Sequence, residues 1–342
     1  MFTALRRART ASLATAGAAA VVLLLSACGT TESSASSSDA GAAATSAAAS
    51  GPVSVTDERG PVKLGAPATK VASLEWGLTE NLLSLGVTPV GAADVKGYNQ
   101  YDTVVPLPAD TPDLGQRGTP SLDAISALDP DLIVVTTDTT DKVIGQLEKI
   151  APVIAMKGSD GTDPIGYLRK TVNVLAQATG TEDQATALLS EFDARVTAGK
   201  AALAAAGKTG AAFTMADGWV QSGTVTVRMY TPNSFLGSIA AQLGLQNEWT
   251  TGGDPDYGLA TTDVEGLTKL KTADSTFLYV ADITADSFVD TLGKNAIWKK
   301  LPFVAAGNVK AVDPGIWMFG GPKAGEAYID TVVKNLTGTA LS

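Results

Sequence analysis

The sequence predicts an α/β protein with two lobes on either side of a helical segment. Apolar strands alternate with helical patterns before residue 160 and again after residue 208, as is typical of α/β lobes. Between these parts, from Asp163 to Ala206, apolar residues keep helical spacing and no strand pattern interrupts them. The chain of 342 residues is 45% apolar, which is enough for two cores. We therefore expect an N-terminal lobe over residues 53–160, a helical segment over 161–207 and a C-terminal lobe over 208–342.

The start of the chain has the pattern of a secretory signal. Three arginines precede an uncharged run over residues 11–27, which is too short and too rich in alanine for a membrane-spanning helix. The run ends in Leu-Ser-Ala-Cys, which is similar to a bacterial lipobox, and Cys28 is the only cysteine. We expect residues 1–27 to be a signal peptide and Cys28 to be lipidated, although a lone cysteine can also be a free thiol or a buried small side chain. Residues 28–52 are mostly Gly, Ala, Ser and Thr and predict a flexible tether.

The N-terminal lobe is predicted from alternating strand and helix patterns with their caps and turns. The lobe is expected to begin with a hairpin over Val53 to Leu64, which turns at residues 58–60. The next expected elements are a strand at Val71, a helix from Leu78 to Leu85 and a strand over Val87 to Ala93. After these we expect a helix capped by Ser121, a strand over Leu132 to Thr136, a helix over Val143 to Ile150 and a strand over Pro152 to Met156.

The rest of the chain is predicted as two helices and a second α/β lobe. Gly180 separates the helix Pro164 to Thr179 from the helix that follows it. The second lobe is expected to begin with strands at Ala211 to Met215 and Thr224 to Tyr230. A helix from Ser234 to Leu243 follows, with Pro232 in its first turn and Gly244 as its C-cap. The remaining elements are a helix with a Thr262 and Glu265 capping box, strands at Phe277 to Val280 and Val309 to Val312, and a helix from Ala324 to Leu336.

The composition excludes several function classes. The chain contains no histidine, so Ser-His-Asp and Cys-His enzymes, imidazole zinc sites and histidine-ligated haem are excluded, and we do not expect an enzyme. Removal of residues 1–27 deletes three arginines and no acid, which changes the formal charge from −10 to −13 and makes nucleic acid an improbable partner. The aspartate pairs 138/141 and 254/256 lack the spacing of a calcium loop.

Arginines and large aromatics are the remaining candidates for a binding site. Arg117 lies in the loop before Ser121, and Arg228 lies at the end of a strand beside Tyr230, so each can project into a cleft from a different lobe. We expect both arginines and Tyr230 to contact the ligand. Trp76, Tyr98 and Tyr101 follow strands, at the end where open α/β sheets bind ligands, and core packing is the alternative for each of them.

The chain also resembles a known family over nearly all of its length after residue 52. The similar segments are Val71 to Tyr101, Asp113 to Val134, Gln146 to Ile154, Met229 to Leu245 and Pro302 to Gly321. They resemble the class III periplasmic binding proteins of ABC importers that carry ferric siderophores, haem or cobalamin, and most of all the ferric-hydroxamate branch. The resemblance implies two Rossmann-like α/β lobes, a ligand cleft between them and a long helix, here Pro164 to Thr179, that bridges the lobes and restrains their motion.

The resemblance also implies a function and its partners. The chain is expected to be a monomeric lipoprotein receptor on the outer face of the bacterial cytoplasmic membrane, which captures a ferric siderophore and delivers it to the two subunits of an ABC permease. No cofactor is expected, because the siderophore and not the protein coordinates the iron. The alternatives are a cobalamin-type carrier of the same fold and, from another class, a cell-envelope sensor or adhesion module without a transported ligand.

Individual positions carry over from the family. Arg117 matches the arginine that contacts hydroxamates, Tyr101 and Trp317 match aromatics of the cleft, and Tyr257 stands where relatives have tryptophan. Leu259 replaces a serine that touches the ligand in relatives, which puts the exact hydroxamate preference in doubt.

Asp123 and Glu265 match the two carboxylates, one in each lobe, that dock the permease in the family. Both acids also have a local explanation as residues of helix starts. Relatives commonly have glutamate where this chain has the shorter Asp123, so contact from this lobe is expected to be weaker or shifted.

Overall fold

The computed structural model describes residues 51–280 and 287–341. The predicted signal peptide, Cys28 and all but the last two residues of the predicted tether lie outside the described residues. Within the two described ranges, no helix has the length and hydrophobicity needed to cross a membrane.

The first α/β lobe is built on a four-stranded parallel sheet. Its elements are β1 (Val53–Thr56), β2 (Pro61–Leu64), β3 (Val71–Ser73), α1 (Trp76–Ser84), β4 (Gly91–Ala92), α2 (Val95–Tyr101), β5 (Gly115–Gln116), β6 (Thr119–Pro120), α3 (Leu122–Ala127), β7 (Leu132–Thr136), α4 (Asp141–Leu147) and β8 (Val153–Met156). The sheet has the strand order β4-β3-β7-β8. Every residue of β3, β7 and β8 is buried, which explains why these strands are continuous apolar runs in the sequence.

The predicted N-terminal hairpin is confirmed, and a buried aspartate fixes it to the sheet. One carboxylate oxygen of Asp57 accepts hydrogen bonds from the backbone N–H groups of Arg59 (2.7 Å) and Gly60 (2.9 Å) in the turn. Its other oxygen accepts the backbone N–H of Ala155 in β8 at 2.8 Å. The hairpin is therefore attached to the edge strand of the sheet by a residue of its own turn.

The segment after α1 differs from the prediction. The strand expected over Val87 to Ala93 is reduced to the two residues of β4, and Tyr98 and Tyr101 lie on helix α2 instead of in a loop. Asp94 starts this helix from a left-handed backbone conformation (φ 51°), and its side chain accepts the N–H of Gly97 at 3.2 Å. A helix of seven residues with a single buried side chain has no apolar periodicity by which to predict it.

The helical segment and the second lobe follow. Their elements are α5 (Pro164–Thr179), α6 (Glu182–Ala205), β9 (Ala212–Gln221), β10 (Thr224–Tyr230), α7 (Phe235–Gln242), β11 (Gln246–Asn247), β12 (Leu259–Thr262), β13 (Thr276–Tyr279), α8 (Phe288–Leu292), α9 (Pro302–Ala305), β14 (Val309–Ala311) and α10 (Pro322–Thr337). The sheet runs β12-β10-β9-β13-β14, with β11 also paired to β9. Strands β9, β10 and β12 are antiparallel, whereas β11, β13 and β14 are parallel to β9 or to each other.

Helix α5 contributes to the cores of both lobes, which confirms the predicted bridging helix. Its N-terminal residues Ile165 and Leu168 belong to the core of the second lobe. Val172 and Leu175, further along the same helix, belong to the core of the first lobe. The helix ends at Gly180, which has the left-handed conformation (φ 68°) that favours glycine.

Three details of the second lobe correct the sequence prediction. Strand β9 does not end at Met215 but continues to Gln221 and forms a long hairpin with β10, whose outer half is exposed and so lacks an apolar pattern. Pro232 lies before helix α7, which is capped by Ser234. The capping box of Thr262 and Glu265 does not form, because the side chain of Asp263 accepts the N–H of Gly266 at 2.9 Å and starts a 3₁₀ turn there.

A buried carboxylate joins the two lobes. Glu80 of α1 accepts the backbone N–H groups of Gly321 (2.8 Å) and Ala324 (2.9 Å) at the N-terminus of α10. Asp102, at the end of α2, is fully buried beside the Glu80 carboxyl, and its two carboxyl oxygens have no hydrogen-bond donor among the described residues. Two carboxyl groups hydrogen-bond only when a proton lies between them. Burial raises the pKa of both, that of Glu80 to about 7 and that of Asp102 to about 10, so the pair keeps a proton at neutral pH.

Candidate functional site

A cavity of about 480 Å³ lies between the lobes and is lined by residues of both. Its size is in the range of small-molecule sites. The first lobe contributes Glu75, Arg117, Asp138 and Lys157, among others, and the second contributes Arg228, Tyr257, Leu259, Trp317 and Phe319. Two arginines from different lobes therefore share one cavity with several aromatic rings.

Arg117 is held at the tip of the hairpin that joins β5 to β6. Its Nη1 donates to Oε1 of Glu75 at 2.8 Å, and its guanidinium lies 3.8 Å from the ring centroid of Trp76. The ring of Trp317 lies 5.2 Å from the same guanidinium. Carboxylate pairing and cation–π contacts together fix the plane of the guanidinium, which carries further N–H donors for a ligand.

Glu75 is positioned by the start of helix α1. It is the N-cap residue, and its Oε1 accepts the backbone N–H of Trp76 at 3.0 Å. Burial raises the pKa of Glu75, and the charge and hydrogen bond of Arg117 oppose this rise. Arg117 therefore favours the ionised form of Glu75, and Glu75 in turn orients Arg117.

Arg228 is paired with Asp217 on the neighbouring strand. The two residues lie directly opposite each other in the β9–β10 hairpin. Nε of Arg228 donates to Oδ1 of Asp217 at 2.9 Å and Nη2 donates to Oδ2, a bidentate pair. Burial favours the neutral form of Arg228, but the Asp217 carboxylate opposes this effect, and the pKa of Arg228 is raised. Phe319 lies 5.6 Å from the guanidinium, so this arginine is also supported by an aromatic ring.

Tyr257 connects the lobes across the cavity. Its hydroxyl donates to Oδ2 of Asp138, and burial raises the pKa of Tyr257, so it remains a donor at neutral pH. Next to this contact, the N–H of Gly161 donates to the carbonyl of Pro255 at 3.1 Å. A Cβ at Gly158 would lie 1.9 Å from the hydroxyl of Tyr257, so only glycine allows this close approach.

Four of the sequence-predicted residues, Arg117, Arg228, Tyr257 and Trp317, lie in the cavity wall. Trp76 is 4% exposed and lies behind Arg117, and Tyr101 stacks on Trp76 with 6.0 Å between ring centroids. These two aromatics thus support the arginine from the interior side.

Tyr98 and Tyr230 are fully buried, which corrects the expectation that they line the cleft. The hydroxyl of Tyr98 donates to the carbonyl of Val105 at 2.7 Å, so this side chain belongs to the core. The hydroxyl of Tyr230 donates to Oδ2 of Asp217 at 3.0 Å and thereby orients the partner of Arg228.

The structure adds site residues that the sequence reading missed, namely Glu75, Asp138, Lys157, Asp217 and Phe319. Glu75 and Asp138 follow strands β3 and β7, so the rule that ligands bind beyond strand ends would have found both. Asp217 was hidden because the predicted strand stopped before it.

Asp254, one of the aspartates with the composition of a cation site, has a structural role. Asp254 accepts the backbone N–H groups of Asp256 (2.9 Å), Tyr257 (2.6 Å) and Leu259 (2.9 Å), which orders the loop that carries Tyr257. Among the described residues, no group of three or more acids or cysteines has the arrangement of a metal site.

The two predicted docking acids lie on the surface. Asp123 is exposed in the first turn of α3, which Ser121 caps by accepting the N–H of Ala124 at 3.3 Å. Glu265 is exposed directly before the 3₁₀ turn of the second lobe. Their role in docking stays a prediction.

A cavity between two α/β lobes, with polar and aromatic groups from both, defines a two-lobed ligand-binding protein. A family model described as periplasmic binding protein matches residues 71–315, which is more than half of the chain. The chain therefore belongs to the periplasmic binding protein family.

Similar proteins are named as binding proteins for ferric complexes. The iron(3+)-hydroxamate-binding protein FhuD of Escherichia coli (strain K12) is 26% identical over 271 residues, which cover 79% of this chain and 88% of FhuD. The Fe(3+)-citrate-binding protein YfmC of Bacillus subtilis (strain 168) is 27% identical over 283 residues, which cover 82% of this chain and 85% of YfmC. The structure of the Fe3+–Desferal-bound siderophore-binding protein FhuD from Vibrio cholerae matches with a TM-score of 0.70 and 28% identity, over 80% of this chain and 99% of that one.

Proposed function

We propose that this protein is a receptor that captures a ferric siderophore of the hydroxamate type outside the cytoplasm and delivers it to an ABC permease for iron uptake. The observation that supports this most is the pair of arginines, Arg117 and Arg228, that line one cavity from different lobes beside aromatic rings. The similarity to hydroxamate-binding proteins supports the same ligand class.

The chemistry of the cavity suits a wrapped ferric ion. Ferric iron is a hard cation that a siderophore surrounds with its own oxygen atoms, so the protein has to recognise the ligand and not the metal. Those oxygens keep partial negative charge, which the N–H donors of Arg117 and Arg228 meet. Trp317, Phe319 and Tyr257 then cover the apolar ligand backbone. Because both guanidinium groups are already held in place, little side-chain entropy is lost on binding.

A lipid on Cys28 would keep this receptor on the outer face of the cytoplasmic membrane, next to its permease. The Arg-rich start, the apolar run and the Leu-Ser-Ala-Cys junction motivate this part of the proposal. Stable anchoring needs more than one acyl chain, since a single chain binds membranes only marginally.

The test of the proposed function is a titration of the chain without residues 1–50, followed by tryptophan fluorescence. The chain has five tryptophans, and Trp317 lines the cavity itself. We expect saturable quenching by a ferric trihydroxamate and much weaker responses to the iron-free trihydroxamate and to cobalamin. If no ferric chelate gives a saturable response, the receptor function is wrong.

Docking to the permease is tested by reversal of the two exposed acids. We expect the double variant Asp123→Lys and Glu265→Lys to lower siderophore uptake by cells by about tenfold, because complementary surface charges steer encounter and fix its register. Ligand affinity in solution should not change, since neither acid lines the cavity.

The matched control for this double variant is Glu182→Lys with Asp183→Lys, two exposed acids in the first turn of α6. Their reversal adds the same charge at a place that carries no docking prediction, and uptake should be normal. Normal uptake by the Asp123 and Glu265 variant would limit these acids to local roles at the starts of their helical turns.

A further inference from the structure

Each cation that lines the cavity is accompanied by a carboxylate. The pairs are Arg117 with Glu75 (2.8 Å), Lys157 with Asp160 (2.8 Å) and Arg228 with Asp217 in the bidentate contact. The positive charge in the cleft is therefore neutralised before any ligand arrives.

A fourth carboxylate leaves the cleft with a surplus of negative charge. Asp138 lines the same cavity, accepts a hydrogen bond from the neutral Tyr257 hydroxyl and forms no ion pair with a described cation. It is close enough to Glu75 for the two charges to repel each other. The three cations of the cavity wall thus stand against four carboxylates, of which Glu75 and Asp138 line the cavity and the other two pair with Lys157 and Arg228.

We propose that Glu75, Asp138 and Asp217 restrict the site to ferric complexes of neutral or positive net charge and exclude anionic ones. The inference rests on the proposed function and narrows its substrate class. A ferric trihydroxamate is neutral at its iron centre, so it takes hydrogen bonds from the arginines without the need for net positive charge in the cleft. A ferric tricatecholate or ferric citrate complex is anionic, and in this cleft it meets paired arginines and an unpaired carboxylate.

Asp138 adds a preference within the hydroxamate class. Its carboxylate lies at the exposed edge of the cavity, where an ammonium group at the end of a linear trihydroxamate finds an opposite charge. The site is therefore expected to bind a trihydroxamate with a free ammonium group more tightly than the same molecule after N-acetylation.

The experiment measures the affinity of four ferric complexes for the wild-type chain and two variants. The complexes are ferric desferrioxamine B, which is monocationic, its neutral N-acetyl derivative, anionic ferric citrate and a trianionic ferric tricatecholate. The wild type should bind the tricatecholate at least about a hundredfold more weakly than the neutral trihydroxamate. Glu75→Gln should reduce the ratio of the affinity for the neutral trihydroxamate to that for the tricatecholate by about tenfold. Asp138→Asn should abolish the preference for the monocationic over the neutral complex.

Two further variants serve as a test of Asp217 and as a control. Asp217→Asn tests the third carboxylate, with its melting temperature recorded because Asp217 is buried and also accepts from Tyr230. Asp193→Asn is the matched control, since Asp193 pairs with Arg169 on the exposed surface of α5 and α6 and should leave every ratio unchanged.

Two outcomes would overturn the inference about charge but not the proposed function. The first is that the wild type binds the trianionic and the neutral complex equally well. The second is that Glu75→Gln and Asp138→Asn change the relative affinities for the four complexes no more than the control Asp193→Asn does. A wild type that binds none of the four complexes overturns the proposed function, and the charge rule with it.

Discussion

Arg117→Ala is expected to weaken the binding of a ferric trihydroxamate by about 1.5 to 3 kcal/mol, or roughly ten- to 150-fold, the range for charge-assisted hydrogen bonds. The loss has two sources. The ligand oxygens lose a planar donor, and Glu75, a partly buried acid in the cavity wall, loses the cation that favours its ionised form. Isothermal calorimetry or fluorescence titration measures the affinity, and thermal unfolding measures the effect on the fold.

The controls separate binding from folding. Arg117→Lys keeps the charge but loses the planar guanidinium over Trp76, and we expect it to recover only part of the affinity. Arg169→Ala removes an arginine from a surface pair with Asp193 and should bind as the wild type does. A variant Arg117→Ala with normal affinity and a markedly lower melting temperature would make Arg117 a structural residue.

Arg228→Ala is expected to weaken binding similarly, but with a larger effect on stability. Its removal leaves the buried Asp217 without its bidentate partner, and an uncompensated buried charge is costly. We therefore regard Arg117 as the cleaner test of ligand recognition.

Glu80→Ala is expected to lower the free energy of unfolding by about 3 kcal/mol. Two backbone N–H groups at the N-terminus of α10 lose their acceptor, and Asp102 loses the neighbouring carboxyl group. The measurement is urea unfolding at neutral pH, and Glu80→Gln, which keeps the shape and one acceptor oxygen, should cost clearly less.

The same pair gives the protein a pH dependence of stability with a defined sign. Burial raises the pKa of Glu80 to about 7, and that of Asp102 to about 10, above the values of about 4 in an unfolded chain. The folded state therefore binds more protons than the unfolded state over this interval, and stability falls as pH rises from about 5 to 8. The nearby Tyr98 and Glu326 carry no positive charge that would reverse this direction.

Glu80→Gln tests this sign. The variant keeps Asp102 but loses one of the two titrating groups, so its stability should fall less steeply over the same pH range. Urea unfolding of both proteins at pH values of about 5, 6.5 and 8 gives the two slopes. Equal slopes would mean that the pair does not govern the pH dependence.

The sequence predicts the order of the main elements well because buried parallel strands and capped helices leave strong local patterns. The continuous apolar run of β7, the Ser121 cap and the Gly180 stop are all visible in one short window each. The long β9–β10 hairpin was missed because its outer half is exposed, and a strand without a buried face has no pattern to detect.

The candidate site is less predictable because its polar residues act in pairs that are distant in sequence. Arg117 and Arg228 were found one at a time, but their partners Glu75 and Asp217 are set by folding of different segments. The aromatic residues show the same limit, since Tyr98 and Trp317 were both expected at the cleft while only Trp317 lines the cavity. Which side of a short helix faces the core is decided by tertiary packing.

The contacts between the two lobes differ in strength. Glu80 holds the N-terminus of α10 by buried hydrogen bonds, and α5 is packed into both cores, so these connections resist separation. The contact of Tyr257 with Asp138 is a single hydrogen bond near solvent and breaks at the lowest cost. We therefore expect the cleft to open first at Tyr257, and we expect this residue to affect the dissociation rate of the ligand more than its association rate.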